Sequence, residues 1–288
     1  MPTLMERTLR LLSTAEGLGA MAALLDAQAK GTALTPELSE RLARVTRELG
    51  VPAPRDATEA KMAVGAVRAF LAQAIELIDE PQRPFGWAPP DAVLDSQGRV
   101  SISVAREIAR RASDVFDLEA RLRAPGARLL DVGTGAGWLA IAFAQLFEQL
   151  EVEGCDILER ALALARKNVA AEGLEARVSV RSEDVTKLDA RARYVAVWLP
   201  GPFLPRAVAL EAIAVARRAL VPGGVLLFGL YGDFGDALSR TLAEVRALRA
   251  GGHPWAVAEL NDALAAGGFS EVKVLELSAG PVRLHAAR

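Results

Sequence analysis

The sequence predicts an α/β fold: a seven-stranded, mostly parallel sheet that ends in an antiparallel hairpin, preceded by an all-helical N-terminal unit. Three observations carry this. Residues 127–139 read as strand, glycine turn and helix, with the apolar run Leu129–Val132 followed by Gly133, Gly135 and Gly137 and then a helical stretch. From there to about residue 230, short apolar runs alternate with helical stretches, the pattern of a parallel sheet covered by helices. The last two strand patterns, 271–277 and 281–287, are separated only by a short turn at Ala279-Gly280, which makes them antiparallel neighbours.

The elements follow in order. Leu4, Leu11, Leu12, Ala15, Leu18, Met21 and Leu25 recur at near-helical spacing over 3–30, and Gly31 ends the run. Thr35-Pro36 opens a second helix that runs to about Leu49-Gly50, with threonine as cap and proline in the first turn. A third helix spans roughly 58–79, where Glu59, Lys61, Arg68 and Glu76 argue against a membrane span. Residues 81–100 are rich in proline and glycine and read as a linker, so the division is 1–100 for the helical unit with its linker and 101–288 for the α/β domain. Ser101 precedes a helix expected to reach about Leu122. The remaining strands are expected at 151–156, 177–181, 193–198 and 225–230, with helices at 137–149, 158–172, 207–220, 234–249 and 256–266.

Composition narrows the function. The 288 residues are 51% hydrophobic and 24% charged, with a net charge of −2, so the chain is globular. It has no basic excess or stripe of the kind a nucleic-acid binder shows. A single cysteine, Cys155, rules out an intrachain disulfide and a cysteine-cluster metal site. No signal-peptide pattern or long uncharged apolar run is present, and a cytoplasmic protein without membrane contact is the expectation.

The glycine turn carries the chemistry. Glycine permits a tight turn and close approach of a ligand, and the helix that follows opens with free N–H groups. A dinucleotide turn places its third small residue one position later, where this chain has Trp138. The pattern Asp131-x-Gly133-x-Gly135-x-Gly137 instead resembles the first motif of the class I S-adenosylmethionine (SAM) dependent methyltransferases, and the terminal hairpin and the turn Val221-Pro222-Gly223-Gly224 suit the same family. The resemblance covers about residues 101–288 and implies a Rossmann-like methyltransferase sheet with SAM as cofactor. It extends to bacterial small-molecule methyltransferases with a helical N-terminal lid, including those of natural-product pathways.

The resemblance assigns candidate residues. Asp131, Gly133, Thr134, Gly135 and Gly137 form the turn. Asp156, 25 residues beyond Asp131, ends the second strand, where a carboxylate can accept from both ribose hydroxyls; Ile157 follows it. Asp184 and Val185 end the third strand beside the adenine, and Leu199 and Pro200 end the fourth, beside the reacting centre. That fourth strand end offers no metal ligand, so methyl transfer without a metal is expected. It also lacks the Asn or Asp of the Asn/Asp-Pro-Pro-Tyr/Phe motif, which sets the chain apart from the release-factor glutamine methyltransferases that its helical N-terminal unit superficially resembles. His253 and Tyr231 are the base candidates, while Trp87, Arg99, Phe203 and Trp255 are candidates for holding the acceptor. His285 lies in the last strand and is expected to point away from the site. A small-molecule acceptor is the leading reading. The alternatives are a protein acceptor and a SAM-binding protein that transfers no methyl. The apolar faces of the N-terminal helices must be buried on the catalytic domain or on a partner chain, and a homodimer is one way to do so.

Overall fold

The computed structural model describes residues 3–82, 91–277 and 282–288. The chain divides into two compact units, Met1–Pro81 and Gln82–Arg288.

The first unit is three helices, α1 (Leu4–Lys30), α2 (Pro36–Glu48) and α3 (Ala57–Asp79). Each starts as its sequence requires. Thr3 and Glu6 form a reciprocal capping box on α1, the Thr35 hydroxyl accepts from the Leu38 N–H, and Asp56 caps α3 through the Glu59 N–H. The C-terminal half of α1 packs Met21, Ala22 and Leu25 against Ala60 and Val64 of α3, and Arg68 reaches Asp26 at 3.0 Å. The first turns of α1 are different: Leu4, Met5, Leu9, Leu11 and Leu12 are all exposed.

The second unit begins with α4 (Asp91–Gly98), α5 (Val100–Arg111) and α6 (Leu118–Arg123). Two expectations are corrected here. The segment 91–98, read as linker, is a helix, because the prolines cluster before Asp91 and leave the eight residues after it free to wind. The helix expected from Ser101 to Leu122 is broken in two. A 3-10 turn at Ala112–Asp114 and left-handed backbone at Phe116 (φ 45°) and Asp117 (φ 56°) interrupt it, and the break brings Val115 and Phe116 into the core. The turn expected at Ala279-Gly280 lies outside the described residues.

The sheet contains β1 (Arg128–Val132), β2 (Glu151–Asp156), β3 (Val178–Ser182), β4 (Tyr194–Pro200), β5 (Leu220–Tyr231), β6 (Val272–Glu276) and β7 (Val282–Ala287), in the order β3-β2-β1-β4-β5-β7-β6. β1 pairs in parallel with both β2 and β4, while β7 runs antiparallel between β5 and β6. The order therefore reverses at β1, and a ligand is expected beyond the carboxyl ends of β1 and β4. The Pro222-Gly223-Gly224 turn is a bulge within β5, where the register against β4 shifts.

One face of the sheet packs on α5, α6 and α7 (Trp138–Leu146), together with part of α8 (Glu159–Ala171); the other packs on α9 (Arg206–Ala219) and α11 (Val257–Ala266). α10 (Ala237–Arg249) lies between β5 and α11 in the chain. Between β3 and β4 there is only a 3-10 turn, Val185–Lys187. A charge network lies on this part of the sheet: the buried Glu153 carboxylate accepts from Tyr194 Oη at 2.9 Å, Arg181 Nη1 at 2.9 Å and Arg193 Nε at 3.1 Å. Burial would raise its pKa, but these donors hold it below the usual carboxylate range.

Candidate active site

The glycine turn has the conformation its sequence demands. Gly133, Gly135 and Gly137 all have positive φ (64°, 55° and 82°), and a Cβ on Gly133 would lie 3.1 Å from Pro200 Cγ. The turn and the end of β4 are thus in contact, as the reversal of strand order requires. Gly137 is the N-cap of α7 and brings no side chain to cap it, and the Ala140 N–H of the first turn donates to Asp131.

Asp156 ties the glycine turn to the loop after β2. Its Oδ2 accepts from the Gly135 N–H and its Oδ1 from the Leu158 N–H, both at 2.9 Å. Each oxygen keeps a lone pair for a further donor. Ile157, directly after it, is 65% exposed, an apolar surface that a flat ring would cover. Asp184 caps the 3-10 turn through Oδ1, which accepts from the Thr186 N–H and hydroxyl at 3.0 and 2.8 Å; those bonds hold it below the usual carboxylate range. Left-handed glycines, a carboxylate at the end of β2 and an uncovered Ile157 all fit an adenosyl group.

Other expected cofactor residues sit beneath the site. Asp131 is buried and accepts from Thr134 Oγ1 at 2.6 Å, so it braces the turn from below. Burial pushes its carboxyl up to about 7 against the opposing Thr134 bond, and the nearby Asp156 adds to the rise. Thr134 is buried against Gly154, where an added Cβ would fall 2.7 Å from its hydroxyl. Val185, in the 3-10 turn after β3, and Leu199, in β4, bury their side chains in the core, and Pro200 packs on the turn.

The acceptor-side candidates separate in the same way. Gly252 approaches Pro202, in the 3-10 turn Gly201–Phe203 that follows β4, so closely that a Cβ would sit 2.1 Å from its carbonyl oxygen, which holds the following His253 beside the end of β4. His253 Nε2 lies 3.1 and 3.0 Å from the two oxygens of Glu259, and Arg206 Nε donates to the same carboxylate at 2.8 Å. Those two partners, Arg206 first, keep Glu259 below the usual range and therefore anionic. Burial pushes Tyr231 up to about 12. Phe203 is half exposed, with its ring centroid 6.3 Å from that of Tyr231 in an edge arrangement.

Two expected acceptor contacts are taken up internally. Trp255 is 8% exposed and packs edge-on against Phe228 and His253. Arg99 stacks 3.8 Å from the ring centre of Trp138 and donates through Nε to Asp95. Trp87 lies outside the described residues. Glu259, Asp95 and Asn168 were not foreseen. For Glu259 the signal was a carboxylate within two helical turns of the lone loop histidine; for Asp95 it was the i,i+4 spacing to Arg99. Among the described residues, no three His, Cys, Asp or Glu side chains converge as a metal-ligand set, and no helix is long and apolar enough to cross a membrane.

Comparison with known proteins bears on the same region. Residues 129–224, from β1 into β5, match a family model described as a methyltransferase domain. The chain is 40% identical over 77 residues to a release factor glutamine methyltransferase of Bacteroides thetaiotaomicron, spanning 27% of each protein. It is 29% identical over 242 residues to a protein of the same description from Deinococcus radiodurans, covering 67% of this chain and 84% of that one. Among solved structures, the SAM-dependent methyltransferase SibL superposes with a TM-score of 0.64 at 17% identity over 97% of both chains. The mitomycin 7-O-methyltransferase MmcR superposes with a TM-score of 0.58 at 18% identity over 98% of this chain and 97% of that one. Residues 129–224 thus form a methyltransferase domain, and the sheet that reverses at β1 and ends in an antiparallel β5-β7-β6 edge has the fold of the SAM-dependent methyltransferases on which the chain superposes.

Proposed function

We propose that the chain methylates a hydroxyl group on a small, flat acceptor without a metal, with His253 as the base. The observation that carries this reading is the His253–Glu259 pair beside the end of β4. SAM supplies an activated methyl group and leaves as S-adenosylhomocysteine. Asp156 takes the ribose hydroxyls, Ile157 covers the adenine, and Asp184 offers Oδ2 to its amino group. Glu259 accepts from Nε2–H, which leaves Nδ1 with the lone pair that receives the acceptor's proton, and the carboxylate then stabilises the imidazolium. Phe203, on the rim, is the apolar wall for the acceptor.

A screen of phenolic and quinol acceptors that follows S-adenosylhomocysteine release tests the proposal. His253→Ala is expected to lower kcat by about 100-fold or more and to leave SAM affinity unchanged. A kcat within threefold of wild type would remove His253 from the chemistry. The release-factor relatives support a second reading, methylation of a glutamine amide. Leu199 stands at the end of β4 where that motif carries Asn or Asp. Methylation of a glutamine peptide and of no hydroxyl acceptor would favour the second reading.

We infer further that the chain pairs with a second copy through α1. Its first turns expose Leu4, Met5, Leu9, Leu11 and Leu12, and a free helical arm of this length is marginal in water. The wild type is expected to sediment as a dimer at micromolar concentration, and Leu11→Glu with Leu12→Glu as a monomer. A monomeric wild type would sink this idea.

A further inference from the structure

We propose that Asp95 is a positioning residue for cofactor binding, acting through Trp138 and Asn168 on the glycine turn; this rests on the assignment of that turn to SAM. The Asp95 carboxylate sits at the centre of a small clamp. Its Oδ1 accepts from the indole N–H of Trp138 at 2.7 Å and from the side-chain amide of Asn168 at 2.9 Å, and its Oδ2 accepts from Arg99 Nε at 2.9 Å. The same Asn168 amide nitrogen donates to the carbonyl of Ala136 at 3.0 Å, within the turn itself. Burial works against the charge on Asp95, but the Trp138, Arg99 and Asn168 donors outweigh it and keep the carboxyl below its ordinary range.

The clamp fastens α4 to both cofactor loops. At the C-terminal end of α4, a Cβ on Gly98 would lie 3.0 Å from Trp138 Cδ1 and 3.2 Å from Ala136 Cβ, so α4 presses directly on the turn. At the other end, Asp91 pairs at 2.5 Å with Arg160, in the first turn of α8 just after Asp156-Ile157-Leu158. The Gly135–Asp156 bond joins the two loops from inside, and α4 joins them from outside. Trp138 is 5% exposed, so its indole N–H has no solvent alternative once Asp95 is removed. The neighbouring Ala136–Gly137 peptide, whose N–H donates to the Thr134 carbonyl and whose own carbonyl accepts from Asn168, is then held less firmly, and the turn loosens with it.

The test is calorimetric titration of the full chain with SAM, well below the melting temperature. Asp95→Ala is expected to weaken binding roughly tenfold. Trp138→Phe, which removes the indole bond from the other side, is expected to do the same, and the double variant is expected to be no worse than the weaker single. In a 1H–15N spectrum, the indole signal that disappears in Trp138→Phe should move in Asp95→Ala. A helix that served stability alone would lower the Tm of Asp95→Ala and leave its Kd within twofold of wild type, and that result overturns the proposal, as would additive losses in the double variant. If Asp95→Ala does not fold, Trp138→Phe alone decides by the same criterion. Retention of affinity in Asp95→Ala with its loss in Asp156→Ala would remove the clamp and keep the cofactor site. No binding by wild type would remove both.

Discussion

Replacing Asp156 by alanine is expected to weaken SAM binding by at least about 100-fold, because in the proposed binding mode two ribose hydroxyls share this carboxylate and hydrogen bonds to a charged group contribute ~1.5–3 kcal/mol each. The loss has a second source. The carboxylate also accepts from the Gly135 and Leu158 N–H groups, so its removal frees both loops that face the cofactor. Asp156→Asn separates the two contributions. One amide oxygen can still accept a backbone N–H, but the NH2 group that replaces the other oxygen can only donate, and an intermediate loss of roughly tenfold is expected. Titration of each variant with SAM measures this. A Kd for Asp156→Ala within threefold of wild type would place the ribose elsewhere.

Asp156 also shows what a sequence can reveal about such a site. Its position follows from a rigid rule: one strand, one helix and one strand separate it from Asp131, and both lie in parallel strands paired in register. The same regularity made β1 to β5 and the closing hairpin readable from apolar period alone. The period does not say which way a residue at a strand end turns. Val185 and Leu199, expected beside the cofactor, have buried side chains in the core, and Asp131 and Thr134 are buried and bonded to each other. Trp255 was a candidate for holding the acceptor, and its ring packs inward, edge-on against Phe228. Of the clamp on the turn, only the i,i+4 pair Asp95–Arg99 left a mark in the sequence. Asp95 meets Trp138 and Asn168 across 43 and 73 residues of chain, and no local pattern encodes pairs so distant.

Two buried groups are expected to tilt the pH dependence of stability in opposite directions, so that the wild type is nearly flat where each single variant is steep. Asp131 is raised from 3.8 to about 7, first by burial. Above pH 3.8 the unfolded chain releases this proton while the folded chain keeps it, so stability falls as pH rises, and the loss, ~4 kcal/mol, is complete above about 7. His285 is lowered from 6.5 to about 4 by burial and then by Arg283, and both its ring nitrogens lie buried without a hydrogen-bond partner. Below pH 6.5 the unfolded chain takes up a proton that the folded chain refuses, so stability falls as pH drops, with a loss of ~3 kcal/mol complete below about 4. Between roughly pH 4.5 and 6.5 the two slopes oppose and nearly cancel. The carboxylates held low by their partners, among them Glu153 and Glu259, lose their contribution only as pH falls below that window. Asp131→Asn leaves His285 alone, and urea unfolding should then show stability rising with pH across the window by ~2–3 kcal/mol. His285→Leu leaves Asp131 alone and should show a fall of similar size. Parallel profiles for the two variants would mean that neither group is held in the ionisation state its burial demands.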